Sequence, residues 1–495
     1  MRFPYLIAAA IACFISPNVV YASGSDYTDA ALRQLKEATT NQKNGQYLLN
    51  LSSLRSLNDI ALRPFFSQFT QHEDWTVQVH AVLGLAELSE DKVVDPWLVQ
   101  QIAPTAREYL IAQALDDGLI QQEQIESLIK WNQLEATPRL LLLAELYGLG
   151  ADVDKVMVKE LANSTDLTVS SFASLLTNDE EIIKTTTNSL KRATANDRDN
   201  ALQRTLKLIR QYKFKDATPW LVSLLDSSST VLNDTQRYWT LFTLLSVNSE
   251  IGLEIWNRAF SFEPNRKDQV RYFLLILEAG ILPTEEMRDR LIIDIDDPLL
   301  GNMFKSGKVN GEVESISTET LNALSTLVTQ GHRASSDWVF RVVKDVLTDE
   351  QVTTFYKTLS IVPDDANARR KNAAIRSFVE LIQISPEHAW EILRNAKDDS
   401  QQQELLLHAM LQIANMEAVQ EAAKLRRIGV NRADVLALLL IARSATPLDK
   451  KDQECLGIIA AGGGHVSTPL ETQAAWLYLK RMGLADKALA AVSAP

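Results

Sequence analysis

The amino-acid sequence predicts an all-α protein built from many short amphipathic helices. Three observations point to this fold class. Glycine and proline are scarce for a chain of 495 residues, at 18 and 15, whereas the helix-favouring Leu, Ala, Glu and Gln are abundant. Alternating Val, Ile and Thr runs joined by Asn-Gly or Asp-Gly turns, which are typical of β-hairpins, are nearly absent. Apolar residues recur instead at three- and four-residue steps along most of the chain.

The stretch 74–103 shows the repeating unit most clearly. Asp74 is a suitable helix N-cap. The apolar residues that follow it at helical spacing are Val77, Ala81, Leu85 and Leu88. After the polar break 89–92, a second apolar stripe consists of Val94, Trp97, Leu98 and Ile102. Pro96 lies in the first turn of this second helix, where a missing N–H costs little. The pattern predicts two short helices joined by a tight turn, and neither can bury its apolar face alone.

The same rhythm continues on both sides of this hairpin. Before it, the apolar pattern predicts helices over 27–40, 47–57 and 59–69. After Pro104 it predicts 105–115, 121–131, 138–147, 153–162, 169–176 and 179–192. The middle of the chain predicts the helical hairpins 196–212 with 217–225, 235–245 with 251–260 and 266–279 with 285–293. Further helices are predicted over 318–329, 336–347, 349–359, 366–384, 388–396, 402–415, 418–428, 431–442, 468–482 and 485–492. Short helices separated by two- to six-residue breaks favour antiparallel neighbours that stack into an α-solenoid.

Residues 300–317 interrupt the rhythm, because they contain three glycines and no apolar stripe. We therefore predict an N-terminal solenoid segment over 23–300, a loop or joint over 301–317, and a C-terminal solenoid segment over 318–495.

Residues 1–22 are predicted to be a secretory signal peptide. Arg2 provides a positive n-region, residues 5–15 form an apolar run that Pro17 ends, and cleavage is expected after Ala22. The apolar run is too short for the alternative, a membrane anchor, since spanning a bilayer takes about 20 residues. The mature protein is therefore expected in the periplasm or the extracellular medium. Its one remaining cysteine, Cys455, lies in an apolar helical run and is expected to be buried.

The formal charge of −13 favours neither nucleic acid nor an anionic membrane surface as a partner. No segment after the signal peptide reaches transmembrane length, so the protein is not expected to be an integral membrane protein.

Two stretches resemble known helical repeats. Residues 85–98 (LAELSEDKVVDPWL) resemble the HEAT-like repeat family, although Gln78 and His80 occupy the neighbourhood in which that family has an arginine. Residues 473–488 resemble a tetratricopeptide hairpin, with Gly483 and Ala488 at its small packing positions. The resemblance implies an α-solenoid that binds proteins or peptides, and it transfers no catalytic residue.

A search for catalytic, cofactor and metal sites leaves no candidate residue. The six histidines are scattered. His72 and His80 flank Asp74 and could meet across the turn, but both are expected to be surface or hydrogen-bonded residues. Residues 294–297 begin like a calcium loop, but Leu299 and Lys305 replace the glycine and the glutamate that such a loop needs. Residues 462–465 (GGGH) lack the Lys-Ser/Thr of a phosphate loop and are interpreted as a helix stop.

Aromatic and basic side chains leave two alternatives open. Trp220, Trp239, Trp256 and Trp390 fall in apolar stripes and are expected in the core, while the alternative is an aromatic groove for peptide or sugar. The basic groups 369–371 and 424–427 are expected on solvated faces, or against an acidic partner.

These observations favour a non-catalytic scaffold or adaptor that holds a partner protein or peptide on its concave face, without a cofactor. The alternative is a cell-envelope polysaccharide-active enzyme that uses paired carboxylates in an acidic groove. A third hypothesis is a domain stabilised by calcium or another metal.

Overall fold

The computed structural model of the chain describes residues 24–40, 46–226, 232–262, 348–363, 365–396, 401–413, 415–429, 431–463 and 466–493, with a few positions between 275 and 344. In this part of the chain all regular elements are helical, namely 24 α-helices and two short 3-10 turns, and there is no strand. The all-α prediction is therefore confirmed. The predicted signal peptide 1–22, the joint 301–317 and the acidic loop 294–297 lie outside the described residues.

The helices are numbered in chain order. The first fifteen are α1 Gly24–Thr40, α2 Gln46–Arg55, α3 Arg63–Gln68, α4 Trp75–Glu87, α5 Pro96–Gln101, α6 Pro104–Asp116, α7 Gln122–Ile129, α8 Ala136–Gly148, α9 Lys155–Ala162, α10 Leu167–Thr177, α11 Glu180–Arg192, α12 Ala195–Gln211, α13 Thr218–Asp226, α14 Asp234–Val247 and α15 Ser249–Phe262. The other nine are α16 Asp349–Ser360, α17 Ala368–Ile384, α18 Pro386–Asn395, α19 Gln401–Ile413, α20 Met416–Leu425, α21 Arg432–Arg443, α22 Lys450–Ala460, α23 Thr468–Arg481 and α24 Ala485–Ser493. The 3-10 turns are Ile60–Leu62 and Lys215–Ala217.

Short polar side chains set where many of these helices begin. Asp74 accepts a hydrogen bond from the Thr76 amide at 2.8 Å, as expected of an N-cap, and Pro96 occupies the first turn of α5. The same kind of cap is provided by Asp95, Asp154, Asp166, Asp179, Asn233, Asn415, Asn431 and Asp449. These residues satisfy amide donors that the first turn of a helix leaves unpaired, so the boundaries follow from local sequence.

The chain divides into two compact units. Unit 1 consists of residues 1–134, 360–366 and 374–495, and unit 2 consists of residues 135–359 and 367–373.

In unit 2, alternate helices pack in a row. Helix α8 packs against α10, α10 against α12, and α12 against α14. The intervening helices α9, α11, α13 and α15 pack against members of this row. Side chains join elements that are one hairpin apart: the Trp220 indole donates to Thr187 Oγ1 at 3.0 Å, and Arg210 donates to Thr243 Oγ1 at 2.6 Å.

Unit 1 brings the first and the last described helices together. Helix α19 packs against α21 and α21 against α23, while α2 packs against α4 and α4 against α6. Helix α23 packs against both α1 and α2, so residues near the C-terminus continue the row that the N-terminal helices form. One apolar core contains residues from both ends, including Leu35, Leu54, Phe66, Leu438 and Trp476, all fully or almost fully buried. Cys455 is buried in this core, as predicted.

None of the described helices is long and apolar enough to cross a membrane.

Candidate functional site

An open groove of about 780 Å³ lies in unit 1 beside the repeat hairpin 74–103. Its first wall consists of Ile60, Arg63, Pro64 and Ser67, from the first 3-10 turn and α3. Its second wall is formed by Asp91 and the residues 93–98, which lead into α5. Leu85, Ala86 and Ser89, at the end of α4, also line it, as does Gln124 of α7. We call this site the α3–α5 groove.

The first wall is held by a cap and by aromatic packing. The Asp59 carboxylate accepts the Ala61 amide at 3.1 Å and thereby caps the 3-10 turn that carries Ile60. In α3, Phe65 and Phe66 are buried, with ring centroids 5.4 Å apart in an edge-to-face arrangement. Because these rings point into the core, the remaining side chains of this short helix face the groove or the solvent.

The second wall is fixed by the turn between α4 and α5. Ser89 donates to the Ala86 carbonyl at 2.8 Å and accepts the Val93 amide at 3.2 Å. The Val94 amide donates to the Leu119 carbonyl at 2.7 Å, which ties the turn to the loop after α6. Asp95 then caps α5 by accepting the Trp97 amide at 2.8 Å.

Both walls carry a large apolar side chain that remains in water. Ile60 is 62% exposed and Trp97 is 58% exposed. The prediction that Trp97 belongs to the buried stripe of the hairpin is wrong, although Val94 and Ile102 of that stripe are buried. Helix α5 begins only at Pro96, so its buried side is set by Val99, and Trp97, two residues earlier, is rotated by about 200° to the opposite side.

Ile60 and Trp97 carry no group that takes part in proton transfer or nucleophilic attack. Exposed apolar side chains at a groove recover free energy when a partner removes them from water. The charged side chains of the groove are Arg63, Asp91 and Asp95. One oxygen of the Asp95 carboxylate is already committed to the helix cap. Among the described residues there is no group of three or more His, Cys, Asp or Glu side chains that could hold a metal ion.

A buried polar centre lies near the groove, around Arg55. Its guanidinium donates to both carboxylate oxygens of Glu87, at 2.5 and 3.0 Å, and lies 3.5 Å from Asp117. A third nitrogen of Arg55 lies 3.3 Å from His80 Nδ1, which must accept, because arginine can only donate. Burial and the Arg55 charge together lower the pKa of His80 to about 3. His80 is therefore neutral and structural.

His72 and His80 have separate hydrogen bonds. His72 Nδ1 accepts the Asp74 amide at 3.0 Å, next to the N-cap of α4. Gln78 donates to the His72 carbonyl at 2.5 Å and accepts the Ala103 amide at 3.2 Å, which fastens the two ends of the hairpin together.

The other motifs of the sequence also have structural surroundings. Trp220, Trp256 and Trp390 are buried as predicted, but Trp239 is partly exposed and packs edge-on against Tyr238 and Phe242. Helix α22 ends before Gly462, whose φ of 81° favours glycine, as expected of a helix stop; residues 464–465 lie outside the described residues.

The two basic groups have internal partners. Arg370 donates to the carbonyls of Leu359 and Thr358. Lys424 pairs with Glu421 at 2.5 Å, and Arg426, whose side chain is buried, pairs with Asp452 at 2.9 Å. Arg369, Lys424 and Arg427 are exposed, as predicted, whereas the prediction of a solvated face is wrong for Arg426, because its guanidinium pairs with Asp452 in the interior.

Sequence reasoning did not single out Ile60 and Arg63 and misplaced Trp97. The signal that was available is Pro96 preceded by Asp95, a strong start for α5, from which the exposed position of Trp97 follows. No local pattern brings Ile60 to the same groove. No known protein family matches the chain, and no curated protein is significantly similar to it.

Proposed function

We propose that the mature protein is an exported α-solenoid of HEAT-like hairpins that binds a partner protein through the α3–α5 groove, without a chemical step. We further propose that the partner binds on the concave face of the solenoid and that nucleic acid is not a partner. Export rests on the signal-peptide pattern of residues 1–22.

The packing supports the solenoid part of this proposal. Alternate helices pack in rows within each unit, which is how stacked helical hairpins arrange themselves. Side-chain bonds recur at similar separations: Arg210 to Thr243 spans 33 residues, and Arg443 to the Leu411 carbonyl spans 32. Helical-hairpin repeats have periods of roughly 33–47 residues.

The observation that carries the binding proposal is the exposure of Ile60 and Trp97 on the two walls of one groove. Tryptophan is the residue type that most often dominates the free energy of protein association, because it buries a large rigid surface. A volume of about 780 Å³ falls in the range of ligand sites, roughly 300–1,000 Å³. The groove therefore suits an extended segment with one large apolar anchor.

The charges of the groove indicate which kind of residue should lie beside the apolar anchor of the bound segment. Asp91 and Asp95 outnumber Arg63, and the whole chain carries a net charge of −13. A segment with a basic residue beside its apolar anchor therefore has complementary charge, which raises the rate of association and its specificity.

The enzymatic alternative receives less support from this site. A pair of catalytic carboxylates needs one free to transfer a proton and the other free to attack or to activate water. Of the two aspartates in the groove, Asp95 is hydrogen-bonded as a helix cap.

Photo-crosslinking in intact cells tests the proposal. The test position is 97, in the groove, and the control position is 428. Ile428 belongs to the same unit and is 61% exposed, but it does not line the groove. With p-benzoylphenylalanine at 97 we expect a discrete covalent adduct with one envelope protein, and with the same residue at 428 we expect none. The same adduct at both positions, or none at 97, would contradict the proposal.

The identified segment then allows a quantitative check. Ile60→Ser and Trp97→Ala should each weaken its binding by about 30-fold, the loss expected for a dominant interface residue, while Ile428→Ser should leave the Kd unchanged. Isothermal titration with a synthetic peptide of the crosslinked sequence measures this difference.

A further inference from the structure

The C-terminal helices reach the wall of the α3–α5 groove through one carboxylate. We propose that Asp59 is a positioning residue of the groove, held in place by Trp476 and Lys480 of α23, so that binding depends on a contact between the two ends of the chain. This inference rests on the proposed function of the groove and adds a determinant that lies outside its lining.

The first support is the hydrogen bonding of Asp59. Its Oδ2 accepts the Trp476 indole N–H at 2.9 Å, and the Lys480 ammonium donates to Oδ1 at 2.8 Å and to Oδ2 at 2.7 Å. Its Oδ1 also accepts the Ala61 amide. One carboxylate thus connects α23 to the 3-10 turn Ile60–Leu62, although 417 residues separate Asp59 from Trp476.

The same bonds lower the pKa of the Asp59 carboxylate. Burial by itself would raise the pKa of Asp59, but hydrogen bonds from Lys480, Trp476 and the Ala61 amide, together with the charge of Lys480, lower that pKa below its ordinary value. A charged acceptor makes stronger hydrogen bonds than a neutral one, and the donors on α23 hold this carboxylate in the orientation that caps the turn.

The second support is packing against α3. Helix α24, which follows α23, packs directly on α3, which contributes Arg63, Pro64 and Ser67 to the groove. Trp476 is fully buried in the core that also contains Phe65 and Phe66 of α3. The first wall of the groove is therefore supported from behind by the C-terminal hairpin.

A third group of contacts fixes α23 itself. Gln473 donates to the Ser53 carbonyl at 2.8 Å and accepts from Arg443 at 2.6 Å, so it links α21, α23 and α2. Ser53 donates to the Pro469 carbonyl at 2.9 Å. Because these bonds do not involve Asp59, removing Lys480 should leave α23 docked and loosen only the turn.

Lys480 offers the cleanest test, because its side chain is 45% exposed and its loss should not unfold the core. The test uses the full mature chain with Lys480→Met, with Lys480→Arg as the conservative rescue, and with Lys487→Met as an exposed lysine control on α24. Hydrogen exchange of residues 60–68 is measured first, without any peptide. We expect about tenfold faster exchange at the Ala61 amide in Lys480→Met, near-normal exchange in Lys480→Arg, and no change in Lys487→Met.

The second readout is affinity for a fluorescein-labelled dodecapeptide, selected by phage display on the wild-type protein and shown to require Trp97. Lys480→Met should weaken its binding about three- to tenfold, and Lys480→Arg should restore it.

Unchanged exchange at 60–68 in Lys480→Met overturns the inference, and so does faster exchange with undiminished affinity. Equally faster exchange at 122–129 also overturns it, since the contact would then only stabilise unit 1. Failure to select any Trp97-dependent peptide on the wild type is instead the failure of the proposed function, while the exchange measurement still decides whether α23 holds the turn.

Discussion

His80 and Glu471 make the stability of unit 1 depend on pH in opposite directions. The folded state holds the pKa of His80 at about 3, against 6.5 ordinarily, because of burial and the neighbouring Arg55 charge. Between these values the unfolded chain binds a proton that the folded chain excludes, so the free energy of unfolding falls as the pH falls through this window.

Burial raises the pKa of Glu471 from 4.5 to about 7. There the folded chain keeps the proton, so stability is lost as the pH rises from about 4.5 to 7.

Glu471→Gln tests the second effect. The amide cannot ionise, so we expect the free energy of unfolding to rise by about 1–3 kcal/mol at pH 8 and to change little at pH 4. Urea unfolding at the two pH values measures the difference, with Glu454→Gln, an exposed glutamate on α22, as the control. An equal gain at both pH values would show that the effect is not ionisation of Glu471.

Arg55 explains why a histidine can be buried in this place. Its charge is balanced by Glu87 and Asp117, and its remaining donor meets His80. Removing one partner of such a group leaves a charge in a poorly solvated place, which destabilises far more than the pair contributes. The arrangement ties α2 to α4 and to the turn after α6, next to the groove.

At the scale of elements, α3 can approach α4 closely because of a glycine. A Cβ built on Gly84 of α4 would lie 2.7 Å from the ring of Phe66, which is fully buried. The close approach places α3 where its outward side chains form the first wall of the groove.

Gly84→Ala is therefore expected to destabilise the protein, whereas helix propensity alone predicts that it stabilises. In an uncrowded helix this substitution stabilises by up to about 1 kcal/mol, but here we expect it to lower the free energy of unfolding by about 1–3 kcal/mol, because the Phe66 ring must move. Urea unfolding measures the change. The double variant with Phe66→Leu should lose less than the sum of the two single changes, and a stabilised single variant would refute the packing argument.

At the scale of the whole molecule, unit 1 depends on both ends of the chain. In a strictly linear repeat array each repeat contacts only its neighbours, so loss of the last hairpin would affect only the one before it. Here α23 packs on α1 and α2, and its Trp476 shares a core with Leu54 and Phe66.

Deletion of residues 466–495 should therefore act at the opposite end of the sequence. We expect residues 46–68 to become sensitive to proteolysis and to exchange rapidly, because the deletion exposes their apolar side chains. Residues 136–226 and 232–262 of unit 2 should keep their protection and act as an internal control. Limited proteolysis with hydrogen exchange measures both, and protection of 46–68 in the truncated chain would refute this dependence.

The sequence by itself determined the helical class and many helix boundaries, because the signals for both are local. Asp74 caps α4 through a bond within one turn, Pro96 occupies the first turn of α5, and apolar spacing correctly marks Val77 and Ala81 of α4 as buried. The signal peptide over residues 1–22 stays a prediction, and the all-helical fold is compatible with the repeat resemblance.

Only the tertiary structure decided the site. Trp97 is exposed and Ile60 lies in the same groove because of how α3, α4 and α5 pack, and Asp59 is held by a residue 417 positions away. Many helices of this chain have similar amphipathic patterns, so the pattern does not determine which of them pack together. Shape complementarity and a few buried polar bonds determine the pairing. Periodicity marks which side of a helix is apolar. It does not specify which helix packs against this side, or which apolar side chain remains exposed.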